Sequence, residues 1–403
     1  MRTVTVTVPV LPPVAVRGEG QFGIYLHVPF CASRCGYCDF NTYTPAELAG
    51  AAGAPAGSTP AGWLAGLGRE LELAANLLAA APGGSRRVDT VFVGGGTPSL
   101  LGADGLAAAL DAVRANFTLA GDAEVTTEAN PESTSPQFFA GILDAGYTRV
   151  SLGMQSSAPG VLALLDRVHS AGRAPEAARE ARRAGFEHVN LDLIYGTPGE
   201  TDDDLARSVD AAVAAGVDHV SAYALVVEDG TALARRVRRG EMPAVDSDVL
   251  AARYELLDAR LSGAGLHWYE VSNWSRDGGA CRHNLGYWNG GQWWGAGPGA
   301  HGHLGALRWW NIKHPNAYAE ALDGGALPVA DFEELAAQEA HVEEVLLRVR
   351  LRDGLPVSLL DGAERSHAET AVADGLLTRA GDRLVLTDRG RLLADGVVRN
   401  ILG

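Results

Sequence analysis

Lysine is almost absent: Lys313 is the only one, and arginine supplies the rest of the 33 basic residues. Set against 49 acidic residues, these leave a net charge of -16, which makes general binding of nucleic acid or anionic membrane unfavourable, although a local basic cleft would survive that average. No run approaches the roughly 18 apolar residues of a helical membrane span, so an integral membrane protein is not expected. The opening stretch MRTVTVTVPVLPPVAVRGEG lacks the unbroken apolar core of a secretory signal and is interrupted by three prolines; a cytoplasmic location is the expectation. Cysteine is scarce as well, four in 403 residues, and a chain long enough for two or three domains buries its core without disulfides or structural metals. Chain length therefore accounts for none of the four.

Glycine, by contrast, is plentiful, with 50 residues in a chain that is 47% hydrophobic. Short β-branched runs alternate with alanine-rich helical stretches, the mark of a parallel α/β sheet. Strands are predicted at 22–28, 88–94, 123–129, 148–153, 188–196 and 218–227, and helical stretches at about 61–81, 103–115, 135–145, 158–184, 201–215 and 246–263. Six such units suit either a doubly wound sheet or a partial barrel. The stretch 49–62 reads as a flexible surface insertion. After Leu266 the texture turns glycine-rich and aromatic, with seven of the eight tryptophans between there and Pro315. From about residue 326 a charged amphipathic helix and a short hairpin, LLTRAGDRLVLT, resemble a winged-helix module. That module carries nine arginines and no lysine against fourteen acidic residues, which argues against DNA binding.

Three of the cysteines, Cys31, Cys35 and Cys38, fall within eight residues, directly after the first predicted strand. In a reducing compartment such a group binds metal or does redox work more readily than it forms disulfides. A structural zinc site closes with four protein ligands, and no fourth lies nearby. An iron-sulfur cube on three thiolates would keep one iron open for a small molecule; zinc and plain buried thiols stay as alternatives.

Nearly every other unusual residue falls at the carboxyl end of a predicted strand, where parallel α/β folds bind ligands. Strand two ends in Gly94-Gly95-Gly96-Thr97-Pro98, which lacks the Lys-Ser/Thr tail of a phosphate loop and so disfavours a nucleoside triphosphate. Strand three ends near Glu128, strand four at Gln155, strand five at Asp192 and strand six at Tyr223-Ala224. Carboxylates and an amide accept hydrogen bonds from ribose hydroxyls or an amine, and Arg167 suits a carboxylate. Singly each is an ordinary surface or structural residue; their shared placement makes the case for a site.

The C-x3-C-x2-C spacing with Tyr37 before the last cysteine resembles the radical S-adenosylmethionine (SAM) superfamily. Within it, GIYLHVPFCASRCGYCDF, VFVGGGTPSLL, TTEANPE, SLGMQS with DRVHS, NLDLIYGTPGET, YEVSNW and CRHNLGYW are similar to the HemW haem chaperone family, relatives of the oxygen-independent coproporphyrinogen III dehydrogenases (HemN). The resemblance implies a partial (β/α)6 TIM-type barrel with a C-terminal winged-helix-like α+β module. It divides the chain into an extension (1–20), a radical SAM core (21–245), an aromatic, glycine-rich segment on the barrel rim (246–325) and a HemN-type domain (326–403). It implies a [4Fe-4S] cluster on Cys31, Cys35 and Cys38, and SAM contacts from Tyr25, Tyr37, Gly95, Gly96, Thr97, Glu128, Gln155, Arg167, Asp192 and Ala224. The dehydrogenase pattern adds a fourth cysteine where this chain has Phe40, and His283-Asn284-Leu285-Gly286-Tyr287-Trp288 fits the H-N-x-x-Y-W element that the family associates with haem. His283, Tyr287 and Trp288 are thus the expected haem residues.

Physics supports haem in residues 266–314 through flat indole walls (Trp268, Trp274, Trp288, Trp293, Trp294), further ligand types (His267, His301, His303, Cys281) and arginines for propionates (Arg282, Arg308). The bland account is an aromatic lid with structural histidines. Two functions follow. One is a carrier that passes haem to an apoprotein, respiratory haemoproteins being the expected acceptors. The other is a radical enzyme acting on a porphyrinogen, with an electron donor as partner and no catalytic residue assigned here. tRNA modification is disfavoured by the acidic charge.

Overall fold

The computed structural model describes residues 9–14, 20–48, 56–84, 86–167, 170 and 172–403. Most of the amino-terminal extension, and residues 49–55 of the expected insertion, lie outside the described residues. Residues 60–62 of that insertion already belong to a helix.

The first half runs β1 (Phe22–Val28), α1 (Pro45–Leu48), α2 (Pro60–Ala80), β2 (Val88–Gly95), α3 (Gly102–Asn116), β3 (Leu119–Ala129), α4 (Pro136–Ala145), β4 (Arg149–Gln155), α5 (Pro159–Leu164), α6 (Arg173–Ala184), β5 (His188–Tyr195), α7 (Asp202–Ala214) and β6 (His219–Ala224). Local chemistry sets the helix starts. Thr59 and Ser135 cap α2 and α4 through their hydroxyls, each ahead of a proline at the first helical position, and Thr201 with Asp204 forms a capping box on α7.

β1 to β6 are parallel and adjacent in sequence order. A doubly wound sheet would reverse that order at a switch point, so this is the wall of a partial (β/α)6 barrel. The strands alternate with period two. Ile24, Leu26, Val91, Val93, Val150, Leu152, Val189 and Leu191 are completely buried in the core shared with the helices, each stabilising by roughly 1.5–3 kcal/mol. The intervening residues form the inner face, and they are polar: Thr90, Glu124, Thr126, Arg149, Ser151, Asn190, His219 and Ser221 are all buried there. The barrel thus has an apolar outer layer and a hydrogen-bonded interior.

The second half runs α8 (Ala232–Arg238), α9 (Ser247–Gly263), β7 (His267–Glu270), β8 (Asn273–Ser275), α10 (Arg282–Trp288), β9 (Gln292–Ala296), β10 (His301–Leu304), β11 (Leu307–Asn311), α11 (Pro315–Asp323) and β12 (Val329–Glu334). The expected rim segment instead extends the sheet on both edges: β8 and β7 continue from β6, and β9 to β12 continue from β1, giving twelve strands. β9 lies parallel to β1 with Gly23 opposite Trp293. β12 belongs to this sheet, and the carboxyl-terminal unit with its own core begins after it. That unit comprises α12 (Ala337–Arg348), β13 (Leu355–Pro356), α13 (Gly362–Ala373), β14 (Leu377–Ala380), β15 (Arg383–Leu386), α14 (Asp388–Leu392) and α15 (Ala394–Leu402), with a three-stranded antiparallel wing. Arg391, almost fully buried, joins it to the barrel through Asp258 at 2.6 Å.

Candidate functional site

β1 ends at Val28, and the chain then loops out and returns at Tyr43, whose N–H donates to the Pro29 carbonyl (2.7 Å) while Cys31 N–H donates to the Tyr43 carbonyl (3.0 Å). The three cysteines sit in this closed loop as free thiols, Cys31 buried, Cys35 and Cys38 half-buried. Burial pushes the Cys31 and Cys38 thiols above their ordinary range, so a bound cation is what would hold them as thiolates. Among the described residues no three His, Cys, Asp or Glu side chains stand close enough to share one metal ion.

The glycine turn after β2 docks on the same loop. Gly96 N–H donates to the Val28 carbonyl (2.8 Å), Thr97 N–H to the Phe30 carbonyl (2.7 Å), and Thr97 Oγ1 lies 3.7 Å from Cys31 Sγ. A Cβ at Gly96 would stand 3.0 Å from Cys31 Sγ, and Gly95 adopts φ +113° with its N–H donated to Glu128 Oε2 (3.0 Å). Burial, then the neighbouring Asp192 charge, raise the Glu128 carboxyl to about 8 despite that hydrogen bond. Asp192 is likewise raised by burial, and it accepts from Ser151 Oγ (3.1 Å) and Asn190 Nδ2 (2.7 Å).

The helical stretch expected at 158–184 is broken into α5 and α6, and the break has a consequence. Asp166 turns the backbone to φ +53°, and Arg167 then reaches inward to donate to Cys35 Sγ (3.4 Å) and the Gly153 carbonyl (3.0 Å). Its Nε is buried with no hydrogen-bond partner among the described residues, a spare donor beside the cysteine loop. Gln155, at the end of β4, has φ +64°, and Gly153 lies against both it and Arg167. Tyr37 packs half-buried against the small apolar group containing Ile194 and Leu225, and Ala224 closes β6. Tyr25 points into the barrel, its hydroxyl 3.0 Å from His27 Nδ1. These residues and the cysteines therefore gather at the carboxyl ends and on the inner faces of the six parallel strands. Free thiols, a spare guanidinium donor, buried carboxylates and a side-chain-free turn form a donor set fitting an iron-sulfur cube and a zwitterionic ligand. Phe40, at the position of the dehydrogenase's fourth cysteine, is 59% exposed.

The H-N-x-x-Y-W residues are elsewhere. His283 is buried at the amino-terminal end of β1 and β2, beside Gly23 and Thr90, about 16 Å along the strands from Val28 and Gly95. Both ring nitrogens are engaged, Nδ1 with Thr90 Oγ1 and Nε2 with the Tyr287 hydroxyl, each at 2.8 Å, and burial lowers its pKa to about 4. Its N–H donates to Glu124, which pairs with Arg149 at 3.0 Å in the barrel interior, and Asn284 donates to Glu270. Trp288 ends α10, half-buried. From His283 a stack of rings, Phe92 (5.3 Å) then Tyr25 (6.2 Å), runs up the lumen toward the rim.

Sequence reasoning missed several of these parts. His27, Ser151 and Asn190 had a signal, polar residues at every second position of apolar strands. Asn41 had none: its amide ties the cysteine loop to the Pro298 and Lys313 carbonyls, both at 2.9 Å, across a contact only the fold creates.

Comparison with known proteins places this geometry among relatives. Residues 25–212 match the Radical SAM superfamily and residues 335–393 the HemN C-terminal domain. The chain is 69% identical to a Mycobacterium tuberculosis protein named "Heme chaperone HemW", with 98% of each chain covered. It is 32% identical to the Escherichia coli protein of that name, covering 97% of this chain and 99% of the relative. Among solved structures, coproporphyrinogen III oxidase (HemN) of Escherichia coli superposes with a TM-score of 0.78 at 21% identity, over 96% of this chain and 90% of that one, a likeness of fold. With a six-stranded barrel, a C-x3-C-x2-C loop at its mouth and near-complete coverage of these relatives, the chain belongs to the HemW family of the radical SAM superfamily.

Proposed function

We propose that the protein is a haem chaperone that binds a [4Fe-4S] cluster, SAM and haem and delivers the haem to acceptor apoproteins in the cytoplasm, respiratory haemoproteins among them. Its full-length likeness to proteins named for that role carries the reading, and the solvent-facing Phe40 supports it, since no fourth thiol is available at that position.

Cys31, Cys35 and Cys38 would hold the cluster. Bound together, cluster and SAM supply the capacity for one-electron cleavage of a carbon-sulfur bond. The chain's own residues bind and orient: Arg167 offers its spare donor to a carboxylate beside Cys35, Glu128 and Asp192 accept from an amine or ribose, and the Gly95-Gly96-Thr97 turn leaves room for a ligand against the loop. Tyr25, Tyr37, Gln155 and Ala224 complete the lining. In the proposed division, residues 1–20 are an extension, 21–245 serve the cluster and SAM, the stretch from 246 through β12 serves haem, and the carboxyl-terminal module follows β12, later than the expected start at 326.

The test is anaerobic and has two arms on the cluster-reconstituted protein. Haem loaded on the protein should transfer to an apo-haemoprotein, read as growth of the acceptor's Soret band. Coproporphyrinogen III, incubated with SAM and a reductant, should be left unconverted. Robust SAM-dependent decarboxylation without haem transfer would replace the chaperone reading with an enzymatic one.

A further inference from the structure

The H-N-x-x-Y-W histidine is poorly placed to ligate iron. Its two ring nitrogens are both hydrogen-bonded within the fold, and the cavity that His283 and Tyr287 line has a volume of about 10 Å³, enough for one water and not for a macrocycle. A second cavity, of about 300 Å³, lies one strand away on the sheet extension and is lined by Trp293, His301, Gly302, Arg308, Trp310 and Glu333. It reaches the lower size of small-molecule sites. Strand register explains its composition: Trp293 opposes His303, His301 opposes Trp310, and Arg308 opposes Glu333, so alternate residues of β9 to β12 present one face. That face continues the barrel's inner face beyond β1, because Gly23 pairs with Trp293.

We infer that haem, carried as the proposed function requires, docks in this β9–β12 groove with His301 as its iron ligand, and that His283 and Tyr287 position the groove wall without touching iron. The His301 ring is exposed, lies stacked on Trp310 with ring centres 5.9 Å apart, and makes no hydrogen bond among the described residues. Trp293 and Trp310 supply flat apolar walls. Arg308 is already paired with Glu343 of α12 and lies near Glu333, and His301 feels the opposing charges of Lys313, the chain's only lysine, and Glu333. A groove this small leaves part of a haem in solvent, which suits a ligand meant to be handed on. The motif acts through contact: His283 holds the Tyr287 hydroxyl, and the Tyr287 ring packs edge-on against Trp293 at 4.6 Å.

The inference rests on the haem-chaperone reading, and the experiment separates the two. The full-length, cluster-reconstituted protein and its His301→Ala and His283→Gln variants are titrated with haem under anaerobic conditions. The Soret band is followed, and circular dichroism checks folding. The parent should show a saturable, histidine-ligated band. His301→Ala should lose that band, bind haem about tenfold more weakly, and recover the ligated band when free imidazole is added. His283→Gln should keep the parent band position. A folded His301→Ala that retains the parent band and affinity, or a folded His283→Gln that loses the ligated band while His301→Ala keeps it, overturns the assignment. A parent with no saturable band overturns the haem reading itself.

Discussion

Raising the pH from about 7 to about 8 should tighten SAM binding about fivefold through Glu128 alone. Glu128 is a buried carboxyl on the inner face of β3, held to Gly95 N–H at 3.0 Å and near Asp192, with a pKa of about 8 set chiefly by burial and then by the Asp192 charge. At pH 7 about nine molecules in ten carry a proton there. A cationic ligand group favours the carboxylate, so binding must expel that proton, and affinity rises with pH until little is left to expel, about one unit above the pKa of about 8. The ligand's own amine also titrates, which is why Glu128→Gln is the necessary partner: it keeps an acceptor for Gly95 N–H and removes the ionisation. Equilibrium titration of the cluster-loaded protein from about pH 6.5 to 9, run in calorimetric buffers of different ionisation enthalpy, reads both affinity and proton release. A Glu128→Gln variant with the parent's slope and proton release would refute the role given to this carboxyl.

Other expectations follow from the same geometry. The buried acids Glu70, Glu128 and Glu200 hold their protons to about 7, 8 and 7, whereas their unfolded counterparts are ionised well below that. The buried histidines His219 and His283, lowered to about 3 and 4, are neutral when folded and pick up about half a proton each on unfolding at pH 6.5, less as pH rises, which is fewer protons than the three acids release. Between about 6.5 and 8 the folded state therefore binds more protons than the unfolded one, and urea-unfolding stability should fall as pH rises; an increase would contradict the assignment. Arg149→Met leaves the Glu124 carboxylate buried among Cys281 and His283 without its 3.0 Å partner, and should cost about 3–5 kcal/mol in the same assay. Cys35→Ala should abolish iron and sulfide incorporation on reconstitution, and a variant with a full complement of both would remove Cys35 from the cluster.

How much of this was readable beforehand depends on how local each feature is. The six barrel strands and the helices between them were visible because the period-two burial of strands such as GIYLHV and the capped alanine-rich helices are written in short windows. The cysteine loop and the Gly95, Glu128 and Asp192 positions followed from strand ends. The break between α5 and α6 had a signal in Gly172 and Pro175, which interrupt the stretch 158–184; the positive φ at Asp166 that delivers Arg167 to Cys35 had none. The edge strands β9 to β12 were also hidden. They are short and rich in glycine and tryptophan, and the pairing of β9 with β1 joins residues about 270 positions apart. For that reason His283 was expected with the rim and lies at the other mouth, and the charged helix expected from about residue 326 begins only at Ala337, with Val329–Glu334 taken into the sheet.

Haem carriage is the central claim, and an equilibrium haem titration of the cluster-reconstituted protein tests it most directly. The account predicts a Soret band that saturates at one haem per chain and then passes to an added apo-haemoprotein. A linear, unsaturated rise, or haem that stays on the protein when the acceptor is present, would contradict it.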